Sequence, residues 1–256
     1  MTREAGSSNV RAVERALQIL GSFDHRHPER GISEIAKAVG LHKATTYRIV
    51  TTLLSYGYLE RAEDGQRYRL GMTLASLGFT AMRRTDVRRE AMPIMTDLAA
   101  RLNETCDLSV YNRGEVYFIE VVQGSRALTV AAAVGRSLPV HATASGKVLL
   151  AHLPDAESEA ALEGPLVAHT QRTITRPGEL RRQLDVVRAQ GFAFDDEELE
   201  PGVRAVSAPV RDRDGNVIAA LSVTCPTSRL PLEGVSAVAA EARQAADAIS
   251  RRLGWR

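Results

Sequence analysis

Residues 31–60 read GISEIAKAVGLHKATTYRIVTTLLSYGYLE. Within that string Ile35, Ala36 and Val39 fall at the spacing of one buried helical stripe, so EIAKAV predicts a short helix that Gly40 ends. Ser33 stands where a side-chain oxygen can accept a hydrogen bond from a first-turn N–H, and is the predicted cap. Leu41 is apolar in the turn, and a third helix is predicted from Lys43 to Ser55, with Gly57 as its breaker. Upstream, Val10, Val13, Leu17 and Leu20 share one face of a helix over 10–23, followed by the loop DHRHPERG. Downstream, YLERAEDGQRYRL reads as two short strands around Asp64-Gly65, a pair in which both residues tolerate positive φ. Helix, short helix, tight turn, helix and hairpin form a winged helix-turn-helix pattern. Its logic is steric: a short helix packs across the next one, which is then free to lie in the major groove.

The charge pattern agrees. The 256 residues carry 33 Lys+Arg and 31 Asp+Glu, a net of +2. Residues 1–85 hold 13 basic and 8 acidic side chains, a net of +5, and the remainder a net of −3. No acid lies between Glu34 and Glu60, nor between Asp64 and Asp86. A locally basic third on a near-neutral chain points to an anionic partner for that third. The candidate DNA contacts are Ser33 on the short helix, Lys43, Thr45, Thr46, Tyr47 and Arg48 on the third, and Arg67 on the wing. Thr51 also faces outward, and Arg61 and Gln66 join Arg67 on the wing. Most such contacts position the protein on phosphates rather than read bases.

Composition excludes several classes. Hydrophobic residues make up 44% and charged residues 25%, an ordinary globular balance. No run approaches the roughly 20 apolar residues of a membrane helix, and the stretch MTREAGSSNVRAVER has no signal core. The expected location is therefore the cytoplasm. Two cysteines, Cys106 and Cys225, make neither a disulfide framework nor a metal site. Beyond the hairpin, helices are expected at 72–82 and 86–102, forming a bridge, then at 144–153, 155–162, 178–190 and 232–253. Strands are expected at 106–111, 116–122, 127–133, 203–210 and 217–224, the last two joined by Asp214-Gly215. Helices among hairpin-linked strands indicate an antiparallel α+β domain.

The whole chain resembles the IclR family of bacterial transcription regulators. The resemblance rests on RAVERALQIL, ISEIAKAVGLHKATTYRIVTTLLSYGYLE and YRLG, then LPVHATASGKVLLA (138–151) and GFAFDDEELEPGVRAVSAPVRDRDGNVIAALSVTCP (191–226). It covers about residues 8–253. It implies an α+β protein with a winged helix-turn-helix domain over 8–70, a helical linker over 71–85 and a GAF-like effector-binding domain with an antiparallel sheet over 86–256. It further implies a ligand-responsive regulator, a repressor working as a homodimer or homotetramer on palindromic double-stranded operator DNA. The implied effector is a small organic acid, aromatic or keto, and the implied pocket is Leu138, Ala144, Ser145, Asp195, Ala205, Ser222 and Thr224. Where family members carry Cys, this chain has Ala205, which leaves more room there. No catalytic residue, cofactor or metal is implied.

The chemistry of those residues is compatible with that role. Ala144-Ser145-Gly146 begins a predicted helix, whose free N–H groups and dipole favour a carboxylate. Ser222 and Thr224, two apart on a strand, face the same side, and Asp195 can accept from a ligand hydroxyl. Each has an ordinary alternative: Ser145 as a helix cap, Ser222 and Thr224 as plain strand residues, and Asp195 as one of a solvated acidic run with Asp196, Glu197 and Glu198. A phosphate loop ending at Gly146-Lys147 would need Gly at 141 and Ser or Thr at 148, where His141 and Val148 stand. A hydrolase built on Ser145, His141 and Asp195 lacks the glycine-flanked nucleophile elbow. His25, His27 and His42 make no metal pattern, while His141 and His169 remain able to meet in three dimensions. The competing reading is a small-molecule-binding or hydrolytic C-terminal domain with an N-terminal protein-interaction module.

Overall fold

The computed structural model describes residues 10–24, 27–63, 65–83, 87–126 and 132–256, with backbone alone for 79–83. The chain divides near residue 84 into two compact units.

The first unit runs α1 (Arg11–Leu20), β1 (Glu29–Gly31), α2 (Ile32–Ala38), α3 (Lys43–Ser55), β2 (Leu59–Arg61), β3 (Arg67–Leu70) and α4 (Met72–Arg83). The three strands form an antiparallel sheet in the order β1-β3-β2, with Leu59 opposite Leu70 and Arg61 opposite Tyr68 in the wing. Ile19, Phe23, Ile35, Val50, Leu53, Leu59 and Tyr68 make its core. Gly40 adopts φ +64°, and the Leu41 N–H reaches back to the Ala36 carbonyl at 3.0 Å. This left-handed closure turns the chain from α2 into α3.

Three expectations change here. Ser33 does not cap α2: Gly31 holds the cap position, and Glu34 reaches back to accept from the Gly31 N–H at 2.8 Å. Ser33 lies inside the first turn and is exposed. The apolar stripe of α1 is not its core face, since Val10, Val13 and Leu17 are 65%, 55% and 63% exposed while Ile19 is fully buried. Strand β1 was not expected: three residues are too few to show alternation, and its partner β3 lies far along the chain.

The second unit contains α5 (Val87–Leu102), β4 (Thr105–Asn112), β5 (Glu115–Val122), β6 (Ser137–Pro139), α6 (Ala144–His152), α7 (Asp155–Glu163), α8 (Pro177–Gln190), β7 (Ala193–Asp196), β8 (Val203–Arg211), β9 (Val217–Pro226) and α9 (Val235–Arg252). Short 3-10 turns precede α6 and α9. The strands form one antiparallel sheet in the order β6-β5-β4-β9-β8-β7. The strand expected at 127–133 falls largely on 127–131, outside the described residues, and 132–133 form no strand.

Alternation sorts this sheet into two chemically different faces. Cys106 and Leu108, Val206, Ala208 and Val210, and Ala219, Leu221, Val223 and Cys225 point to one side. There they meet α5 and the alanine stripe Ala239, Ala242, Ala245 and Ala246 of α9, whose small side chains let the helix lie close to the strands. Both cysteines are free and buried in this layer, and burial pushes their thiols up, Cys225 to about 12. The other side carries Asp107, Ser207, Ser222 and Thr224 along with Ala205 and Ala220, and faces α6. Every residue of α6 from Ala144 to Ala151 is buried, as expected for a helix covered all round.

Candidate functional site

On the first unit, α3 presents Lys43, Tyr47, Arg48 and Thr51 outward, with Tyr47 52% exposed. Neither Lys43 nor Arg48 has an ion-pair partner among the described residues. Thr45 is half-buried. Thr46 is fully buried, and its hydroxyl donates to the His42 carbonyl at 3.2 Å. The expectation that Thr46 contacts DNA is therefore not supported by its placement: it sits on the side of α3 that packs into the head. Arg67 is also occupied within the head, where its guanidinium donates to the Glu29 carbonyl at 3.1 Å and to Glu34 at 2.9 Å. It ties the wing to the start of α2. Arg61 stays on the wing surface, 5.5 Å above the Tyr68 ring. Its guanidinium donates to the Gly65 carbonyl at 2.7 Å.

On the second unit a cavity opens between the polar sheet face and the start of α6. Its interior has about 60 Å³ of space for the centres of water-sized groups, several times the roughly 10–15 Å³ that holds one water. That suits a small molecule. All seven expected pocket residues line it: Leu138, Ala144, Ser145, Asp195, Ala205, Ser222 and Thr224. The sheet register explains the meeting, because Thr224 lies opposite Ala205 on β8, and Ala205 lies opposite Asp195 on β7. Thr143, rather than Ser145, caps α6, its hydroxyl accepting from the Gly146 N–H at 3.1 Å. The Ala144 and Ser145 N–H groups belong to the first turn and have no partner within the helix.

The seven residues come from five separate elements, β6, α6, β7, β8 and β9. Residues 79–251 match the bacterial transcriptional regulator IclR C-terminal family, and residues 12–63 match the IclR helix-turn-helix domain. The chain belongs to the IclR family of bacterial transcriptional regulators. It is 39% identical over 247 residues to the HTH-type transcriptional regulator XynR of Escherichia coli, covering 96% of this chain and 98% of that one. It is 35% identical over 248 residues to the glycerol operon regulatory protein of Streptomyces coelicolor, covering 96% and 97%. A solved IclR homolog of Microbacterium hydrocarbonoxydans, complexed with 4-hydroxybenzoate, is 32% identical with a TM-score of 0.82, covering 94% of this chain and 98% of that one. The chain is a ligand-responsive HTH-type transcriptional regulator.

The cavity also has lining that sequence reasoning missed: Asp107, Phe118, Arg136, Leu199 and Val203 among them. Asp107 could have been found from its place between the apolar Cys106 and Leu108, where alternation turns an acid away from the core. Burial pushes Asp107 up to about 6, with the Ser222 and Thr224 hydroxyls countering part of the rise. Burial likewise pushes Asp195 up to about 7, against the pull of the Glu198 N–H and the Lys147 ammonium.

The acidic run of residues 195–198 has separate destinations. Asp195 enters the cavity wall and accepts from the Glu198 N–H at 2.7 Å. Asp196 pairs with Arg204 at 2.6 Å and with Arg172. Glu197 takes a left-handed φ of +61° and accepts from the Gly202 N–H at 2.8 Å. Glu198 is buried against the Lys147 ammonium, which also donates to the Phe194 carbonyl at 2.6 Å. Lys147, 1% exposed, is thus a strut behind the cavity, joining α6 to β7. His141 and His169 do meet, with ring centroids 5.8 Å apart, but the His141 Nε2 is bonded to the Val167 carbonyl at 2.9 Å. Among the described residues no three His, Cys, Asp or Glu side chains gather as metal ligands, and no helix is long and apolar enough to cross a membrane.

Proposed function

We propose that this regulator is a repressor that binds palindromic operator DNA through paired winged helix-turn-helix heads and changes operator affinity when a small organic acid enters the cavity of the second unit. The observation that carries this reading is the convergence of the seven pocket residues on the start of α6, where two first-turn N–H groups are available to a carboxylate. The solved relative with 4-hydroxybenzoate supports an aromatic acid as one candidate class. Coupling follows from linkage: an effector that prefers one arrangement of the assembly shifts operator affinity by that preference. The working boundaries are 8–70 for the reading head, 71–85 for the linker and 86–256 for the effector domain, with the protein acting in the cytoplasm rather than as an enzyme. A homodimer or homotetramer is supported by the exposed apolar stripe Val10, Val13 and Leu17 on α1, since such contiguous surface marks association sites. Ser33, Lys43, Thr45, Tyr47 and Arg48 are the proposed DNA contacts.

The test is fluorescence anisotropy on operator DNA, with and without effector. Arg48→Ala is expected to weaken operator binding and leave effector binding intact, whereas Ser222→Ala and Asp195→Ala blunt the effector response and leave DNA binding intact. Unchanged operator affinity in Arg48→Ala, or wild-type effector titrations in both cavity variants, refutes the assignment.

A further inference from the structure

We propose that Asp107 is the specificity residue of the cavity, reading a hydroxyl group on the effector, so that the ligand is a small carboxylic acid bearing at least one hydroxyl. This rests on the effector-binding reading above and narrows it to a chemical class.

The sheet register puts Asp107 where it can act. On β4 it lies directly opposite Ser222, and its neighbour two residues back, Thr105, lies opposite Thr224. Asp107 therefore shares the face of Ser222 and Thr224 and turns away from the apolar layer that takes Cys106 and Leu108. It is 2% exposed and lines the cavity. One carboxyl oxygen, Oδ2, accepts from the Thr224 hydroxyl at 3.3 Å. The other, Oδ1, is buried with no hydrogen-bond partner among the described residues. Nearly all buried polar atoms in native proteins are paired, so an unpartnered carboxyl oxygen on a cavity wall asks for a donor from the occupant.

The rest of the lining selects the kind of donor. A ligand carboxylate cannot face Asp107, because like charges repel, and it has its own place at the α6 first turn. A keto or ether oxygen only accepts. A hydroxyl brings one proton for the one unpartnered oxygen, Oδ1; the Thr224 and Ser222 protons are already given to Asp107 Oδ2 and to the Ser207 hydroxyl. An ammonium group brings three protons to that single vacant carboxyl oxygen and fits it less well. Phe118, Leu138 and Val203 then cover the carbon skeleton between the two polar ends.

The experiment titrates the full-length protein by calorimetry with three matched pairs: 4-hydroxybenzoate and benzoate, lactate and propanoate, gluconate and hexanoate. Pyruvate and alanine are added as the oxo and amino counterparts of lactate. At least one hydroxy acid is expected to bind ten-fold or more tighter than its deoxy partner, because a site built to pair with a hydroxyl rejects the analogue lacking it. Asp107→Ala is expected to reduce that ratio to about two-fold or less while still binding the deoxy acid, and Asp107→Asn, which keeps an acceptor oxygen, to fall between. Operator affinity without ligand stays at the wild-type value in both, which shows that they are folded. Equal affinity within every bound pair, tighter binding of pyruvate or alanine than of lactate, or an undiminished ratio in Asp107→Ala overturns the assignment of Asp107 but leaves the acid-binding cavity standing. No binding of any of the eight acids overturns the organic-acid reading and this inference together.

Discussion

Gly146, at the start of α6, makes the tightest backbone approach of the described glycines. A Cβ built there would lie 1.9 Å from the Val140 carbonyl oxygen and 2.6 Å from both the Val140 carbonyl carbon and Cα. All three atoms are backbone, so no side chain can rotate away. Restoring ordinary contact near 3.5 Å requires the 3-10 turn over Val140–Ala142 to retreat by about 1.6 Å. Val140, His141 and Ala142 are all buried, so the retreat compresses the layer around α6. Overpacking of this kind costs about 1–3 kcal/mol and sometimes more. Against it stands the helix preference of Ala over Gly, about 1 kcal/mol at most. The clash therefore wins, and Gly146→Ala is expected to lose about 1–2 kcal/mol net. For a domain of this size that is a drop of roughly 2–8 °C in thermal midpoint. Gly178 is the control: it also sits in the first turn of a helix, α8, but its added Cβ would meet nothing within 4 Å. Gly178→Ala is expected to leave the midpoint unchanged or raise it slightly. Circular dichroism melts of the three proteins decide the matter. A midpoint for Gly146→Ala at or above wild type, or an equal drop in Gly178→Ala, refutes the close-approach argument.

Three further outcomes are expected. Lys147→Met strands Glu198 in the interior, where its Oε2 already has no partner among the described residues. It should cost about 3–5 kcal/mol in chemical denaturation, and adding Glu198→Leu should recover most of it. Arg67→Ala removes a half-exposed pair with Glu34, and solvent screens such a pair so that it adds little to stability. It should leave the slope of log affinity against log salt unchanged for operator binding, while Arg48→Ala lowers that slope by about one. Asp107 and Asp195 hold their protons more tightly folded than unfolded, with values raised from 3.8 to about 6 and about 7. Their protonated forms favour the fold, so unliganded stability should fall as pH rises through 4 to 7 and level off above about pH 8. Between pH 5.5 and 7.5 the loss is on the order of 2–3 kcal/mol, and melts of Asp195→Asn should show a flatter profile. A stability that rises over that interval, with the slope unchanged in Asp195→Asn, counts against burial as the cause.

Elements with strong local signals are legible in the sequence. The third helix runs from Lys43 to Ser55 as the pattern predicted, because its period and its Gly57 breaker are local. The Asp214-Gly215 pair was expected to turn the β8–β9 hairpin; Gly215 does adopt φ +87°, and the Asp212 carboxylate accepts from the Asp214 and Asn216 N–H groups at 2.9 Å. Three short strands were not legible. β1 and β6 have three residues each, and β7 is hidden in an acidic run. The apolar repeat of α1 showed a helix but not which side faces the core, since Ile19, outside the repeat, is the buried residue. Thr46 and Arg67 looked like outward polar groups, yet one is covered by helix packing and the other is held by Glu34.

What the sequence determined by itself was the class of the reading head, the near-neutral total split into a basic third and an acidic remainder, and, through its motifs, the seven residues around one pocket. Tertiary structure decided where Asp196, Glu197 and Glu198 go instead and brought Asp107 to join the pocket. Periodicity reports neighbours three or four residues apart, whereas Asp107 and Ser222 are opposed only because β4 pairs with β9 across the middle of the sheet. A carboxyl group's solvation, and with it its charge and its need for a partner, follows from that pairing.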